Sequence, residues 1–250
     1  MYKWTVAVLA VFLLAGCGMW DKTRDAYYDY VYPTPEVELE MPGLGKKAEG
    51  RLARAFYPPD SQLSSLLRLL ETQDSYPENR EWFATTVRRY PWLNGVLATD
   101  TEGEVLARYP EEGVKRIDLA GYCPDEVSLG DWQIEARVEE TPFGPEIVLA
   151  RPFFKGPDWR GMLIVHFDPR IFAGLSPYSR ELTLVMDGQV LWSERLQDLD
   201  GYLEQRPWDE LLQKGVNGRF SPENGRLLWL ARRVGSDWLV YVISEATVEE

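Results

Sequence analysis

One histidine, His166, stands in a chain of 250 residues. A single imidazole excludes a histidine-rich metal centre and leaves one base for a nucleophilic triad. No serine sits in a GxSxG turn to be its partner, and HExxH and GxxxxGK(S/T) patterns are missing from the sequence. Paired carboxylates stay open, because Asp and Glu total 40 and their spatial pairing is not written in the sequence. The chain therefore reads as a non-enzyme, with no catalytic, metal or cofactor site. What its residues can do is hold a small molecule. Arg116, Asp131 and Arg151 have the charge to fix a polar end, and Tyr122, Trp132 and Phe153 have the bulk to wall a cavity. His166 alternates with Met162, Ile164 and Asp168 on one face of a strand, which can present it to a ligand. Each has a plainer alternative: core aromatic, solvated arginine, hydrogen-bonded structural histidine.

The elements around these residues must place them. Residues 18–59 read as a tether dense in Pro and Gly, with a short helix at 49–56 stopped by Pro58-Pro59. Asp60 and Ser61 can cap a helix whose Leu63, Leu66, Leu67 and Leu70 share a face. A second helix starts near Pro77, buries Phe83, Val87 and Tyr90, and stops before Pro91. The hydrophobic period then falls to two. Residues 93–98 and 104–109 form a hairpin around Asp100-Thr101-Glu102-Gly103, an irregular polar stretch fills 110–145, and strands follow at 146–154 and 161–167. The last third repeats this order: a hairpin around Asp187-Gly188, a short helix at 208–213, Gly and Asn turns, and closing strands at 226–233 and 238–244.

The repetition extends to residue identity. Glu102-Gly103-Glu104-Val105-Leu106 matches Asp187-Gly188-Gln189-Val190-Leu191. Leu149-Ala150-Arg151 matches Leu230-Ala231-Arg232, and Gly156-Pro157-Asp158-Trp159 matches Gly235-Ser236-Asp237-Trp238. All three pairs come in the same order at offsets of roughly 80 residues. Two tandem α+β modules follow, each an antiparallel sheet with covering helices and loops, and the helices at 60–90 cover the first sheet.

Tyr90-Pro91-Trp92-Leu93-Asn94-Gly95-Val96-Leu97-Ala98-Thr99-Asp100 with Gly103-Glu104-Val105-Leu106 resembles the first hairpin of a double Cache domain, a PAS-like extracytoplasmic sensor. Residues 160–168 and 235–243 resemble the closing strands of its distal and membrane-proximal modules. The resemblance covers roughly residues 60–245 and implies two PAS/Cache-like modules, at 60–175 and a smaller one at 176–250. It also implies ligand binding in the first, beneath residues 116–132. The long N-terminal helix of such sensors is shortened here and broken at Tyr76-Pro77. The spaced Tyr, Arg-x-Trp and Asp pattern by which some members hold amino acids is missing, so that ligand class is not carried over.

The N-terminus directs the chain outward. Lys3, an uncharged apolar run and Leu14-Ala15-Gly16-Cys17 resemble the leader and lipobox of bacterial lipoproteins. This implies cleavage after residue 16 and an acyl anchor on Cys17, with residues 17–59 as lipidated cysteine and tether. Gly18 favours the outer over the inner membrane. With Cys17 acylated, Cys123 is the remaining thiol and reads as a small buried residue. A net charge of −13 repels phosphate backbones, which argues against nucleic acid. The chain ends at Glu250 with no further span, so a sensory role calls for a partner, a membrane receptor or envelope complex. A ligand-free docking lipoprotein and an envelope hydrolase are the competing readings.

Overall fold

The computed structural model describes residues 45–73, 76–77, 80–113, 115, 117–119, 121–122, 133–223 and 225–249. Cys17 and the residues before it, the segment up to residue 44, Arg116, Cys123, Asp131 and Trp132 lie outside the described residues.

The first element, α1 (Lys46–Thr72), is one helix with Pro58 and Pro59 inside it. It corrects two expectations, a short helix stopped by the proline pair and a tether reaching residue 59. It also supplies the long N-terminal helix expected to be shortened here. Each interior proline removes a ladder hydrogen bond and crowds the preceding turn, at a cost of about 3 kcal/mol. Against this runs an unbroken buried stripe of Leu52, Phe56, Pro59, Leu63, Leu66 and Leu70. At roughly 2 kcal/mol for each large side chain removed from water, the stripe outweighs both prolines. The second helix, α2 (Arg80–Arg89), buries Phe83 and Thr86 and packs on the first hairpin.

Five antiparallel strands follow: β1 (Gly95–Thr99), β2 (Val105–Tyr109), β3 (Glu135–Glu139), β4 (Glu146–Lys155) and β5 (Asp158–Phe167). Their order is β2-β1-β5-β4-β3. After α3 (Pro169–Ala173) the arrangement is built again. The second set is β6 (Thr183–Met186), β7 (Gln189–Trp192), a 3-10 turn at Gln197–Leu199, α4 (Asp200–Glu204), α5 (Trp208–Lys214), β8 (Asn217–Phe220), β9 (Leu227–Val234) and β10 (Asp237–Ser244). Its order is β7-β6-β10-β9-β8, the same topology, and α6 (Glu245–Glu249) follows. The repeated glycines occupy matching turns. Gly103 and Gly188 have φ of 86° and 74°, and Gly156 and Gly235 both have 62°. Strands β3 and β8 lie in stretches that read as irregular or as turns.

Helix α1 serves both sheets rather than the first alone. Phe56 packs on Tyr241 of β10 with ring centroids 5.8 Å apart, and Ser65 bonds the Tyr90 hydroxyl at 2.9 Å. The repeated Leu-Ala-Arg triplet explains the rest of the attachment. Arg232 of β9 pairs with Asp60, while Arg151 of β4 donates to the carbonyls of Leu70 and Gln73 at the helix end. Equivalent arginines thus hold one helix on two sheets. Between the sheets, Trp92 packs on Phe167 (4.9 Å) and Phe172 (5.0 Å), and Phe172 reaches Tyr241 (6.5 Å). No helix among the described residues is long and apolar enough to cross a membrane.

Candidate ligand-binding site

Strand pairing sorts the first sheet into two faces. Gly95 opposes His166 and Leu97 opposes Ile164, while Val148 and Ala150 oppose the same two β5 residues from the other side. Leu97, Val148, Ala150, Met162 and Ile164 form an apolar floor, and Ile117, Leu119 and Tyr122 from the β2–β3 connection pack onto it. Towards the start of β1 this packing leaves a cavity of about 320 Å³. Its lining includes Asn94, Leu97, Arg108, Lys115, Ile117 and His166.

A buried ionic cluster forms the base of this cavity. Glu146 opens β4 and is fully buried. Its Oε1 accepts from Lys115 Nζ at 2.6 Å and from Asn94 Nδ2 at 2.7 Å, and its Oε2 lies 2.8 Å from His166 Nδ1. Lys115 also donates to Asp168 Oδ2 at 2.8 Å. Asp168 caps α3, accepting from the Arg170 backbone N–H at 2.8 Å and from its guanidinium. His166 is 5% exposed, and its Nε2 has no partner among the described residues. The imidazole lies over Gly95, where a Cβ would overlap Nε2. Glycine is needed there to leave room for the ring.

Burial raises the Asp168 pKa, but hydrogen bonds from Arg170 and Lys115 outweigh it and hold the carboxyl at about 2, below its ordinary 3.8. A carboxyl depressed on folding stabilises the fold above its unfolded pKa, and loses that contribution as pH falls through the folded one. Between roughly pH 4 and pH 2, Asp168 should therefore account for the loss of about 2 kcal/mol. Asp168→Asn keeps an oxygen for the cap but has no proton to gain. Denaturant unfolding of this variant should be less stable at neutral pH and flatter than wild type across that window. Parallel profiles would refute the assignment.

Solved structures share this architecture. The domain of a sensory box/GGDEF family protein from Vibrio parahaemolyticus superposes with a TM-score of 0.53 over 82% of this chain and 98% of its own, at 14% identity. The extracellular domain of a histidine kinase does so with a TM-score of 0.51 over 82% and 99%, at 13% identity. The fold is Cache-like. An extracellular ligand binding receptor from Desulfohalobium retbaense aligns over 78% of this chain at 13% identity and a TM-score of 0.49. The chain spans 38% of that receptor's length. No family model matches the chain, and no curated protein matches it in sequence.

In this Cache-like frame the residues singled out from sequence separate. His166 lines the cavity. Tyr122 is fully buried in the apolar floor, its ring beneath the Arg137 guanidinium and its hydroxyl donating to Glu139 Oε1 at 2.9 Å. Burial and that bond push its ionisation well above the ordinary phenol range. Arg151 and Phe153 are corrections. They alternate with Ala150 and Pro152 and so face away from His166, Arg151 toward the end of α1 and Phe153 against Tyr76 at 5.5 Å. Asn94, Arg108, Lys115 and Glu146 were missed, because each is brought to the site by a long-range contact.

The second sheet carries a more open groove of about 510 Å³ with Trp208, Trp238, Asp187 and Asp237 in its wall. Burial and the neighbouring Asp237 raise the Asp187 pKa. Its carboxylates are partly solvated.

Proposed function

We propose that this chain is a lipid-anchored envelope protein whose first Cache-like module binds a small molecule and presents the bound state to a membrane partner. One observation carries the reading: a cavity on the first sheet lined by Asn94, Arg108, Lys115 and His166, three of them members of a buried ionic cluster. Thermal unfolding of the full chain in detergent, against amino acids, organic acids, amines and purines, tests it. A compound at 100 times its Kd should raise stability by about 2.7 kcal/mol. No stabilisation by any class would turn the reading to a docking lipoprotein. That alternative has its own support in the exposed Val105, Leu106 and Tyr109 of edge strand β2.

Support for the anchor comes from Lys3, the uncharged run after it and Leu14-Ala15-Gly16-Cys17. The Cys17→Ser variant is expected to leave the membrane fraction and collect in the soluble periplasm. Retention of this variant in membranes would remove the acyl anchor from the proposal. Gly18 favours the outer membrane as the destination, with the folded modules facing the periplasm.

A further inference from the structure

We propose that the cavity over β1 takes a short-chain carboxylate, gripped by Arg108 at its mouth and met by His166 Nε2 at its floor; this rests on the cavity being the ligand site. Hydrogen-bonding capacity decides the class. Both oxygens of Glu146 are engaged, by Lys115 and Asn94 on one side and His166 on the other. Both oxygens of Asp168 are engaged by Arg170, and one of them by Lys115 as well. A ligand ammonium would have to displace Lys115, which already stands between the two carboxylates as an ammonium. The acidic groups at the base are therefore taken, and among the described lining residues the cavity has no free anion to offer a cation.

What remains open is complementary to an anion. Arg108 opposes Leu97 across the β1–β2 ladder and so rises on the His166 face, where it lines the cavity. It makes no hydrogen bond or ion pair among the described residues, on a chain with 40 acidic to 27 basic residues. Shortage of acidic partners does not explain an arginine left free there. A guanidinium presents a fork of donors that matches a carboxylate in two bonds. His166 Nε2 meets a carboxylate oxygen or a hydroxyl beside it, according to its proton. Leu97 and Ile117 supply an apolar wall, and about 320 Å³ lies at the small end for ligand pockets. A short aliphatic acid fits; a peptide does not.

Isothermal titration of the full chain in detergent with propionate, lactate, succinate, propionamide and n-propylamine tests this directly. At least one of the three acids should bind, and the amide and amine of matched size should not. Arg108→Ala, an exposed position whose loss leaves the core intact, should weaken the bound acid by about tenfold or more, as loss of a charged hydrogen bond does. His166→Gln should weaken it as well while keeping a side-chain donor for Glu146. Binding of n-propylamine or propionamide without any acid would overturn the carboxylate assignment and leave the pocket reading standing. An acid held equally well by Arg108→Ala would also overturn it. Silence from all five probes, together with silence from the amino acids and purines, would bring down both.

Discussion

Exchanging Lys115 for methionine should lower the unfolding free energy by about 3–5 kcal/mol, read by urea unfolding of the full chain in detergent. The Lys115 side chain is 7% exposed, against 0% for Glu146 and 3% for Asp168. Methionine keeps much of the volume, so lost packing contributes little. What changes is charge. Without the ammonium, two carboxylates that shared one Nζ face each other in a site that water barely reaches. Asp168 keeps Arg170, but Glu146 is left with Asn94 and His166 alone. The diagnostic is the sign of a second substitution. Glu146→Gln in the wild-type background removes half of a working pair and should destabilise. In the Lys115→Met background it removes an uncompensated buried charge and should stabilise. A reversal of this kind is a coupling that independent sites do not show. If Lys115→Met instead costs less than about 1 kcal/mol, Lys115 behaves as a solvated surface charge and the cluster is not what holds the β2–β3 connection down.

Nothing in the sequence announces that cluster, and the reason is instructive. Lys115, Glu146 and Asp168 are ordinary charges in a chain rich in them, and they meet only because β4 pairs with β5 and the β2–β3 connection folds Lys115 onto that pair. His166 could be found because it sits in a strand beside Met162 and Ile164, so its face was legible. Arg151 and Phe153 could not be assigned a face. Strand β4 is buried on both sides from Glu146 to Phe154, and a run without polar alternation hides its parity. Strands β3 and β8 escaped for the opposite reason. Glu135-Ala-Arg-Val-Glu and Asn217-Gly-Arg-Phe are short, polar edges that lack a strand's usual apolar signal. Local rules misled at Pro58-Pro59, where burial along the whole of α1 overrides a pair of helix breakers. The repeat was readable because a tight turn demands glycine wherever it recurs, whatever the strands around it carry.

That recurrence supports a controlled comparison. Gly235→Ala should destabilise by about 3 kcal/mol or more, whereas Gly156→Ala, at the matching turn of the first module, should cost only about 1 kcal/mol. Both glycines have φ of 62°, so the left-handed backbone penalty for alanine is the same at each. Their surroundings differ. A Cβ on Gly156 meets nothing within 4 Å. A Cβ on Gly235 would overlap the carbonyl oxygen of Ile134, which immediately precedes β3 of the first sheet. That neighbour is backbone and cannot rotate aside, so the β9–β10 turn must withdraw from the first module or Ile134 must move with its strand. Ile134 is buried, and β3 and β10 are in contact, so either response disturbs the place where the two modules meet. The difference between the two variants, taken from urea unfolding under identical conditions, therefore isolates the junction from the turn. Equal losses would mean that the second module's turn does not press on the first. A ligand-driven change around His166 would then have to reach β10 through the Phe167–Phe172–Tyr241 contacts, or through α1 and the two arginines that hold it, rather than through this contact.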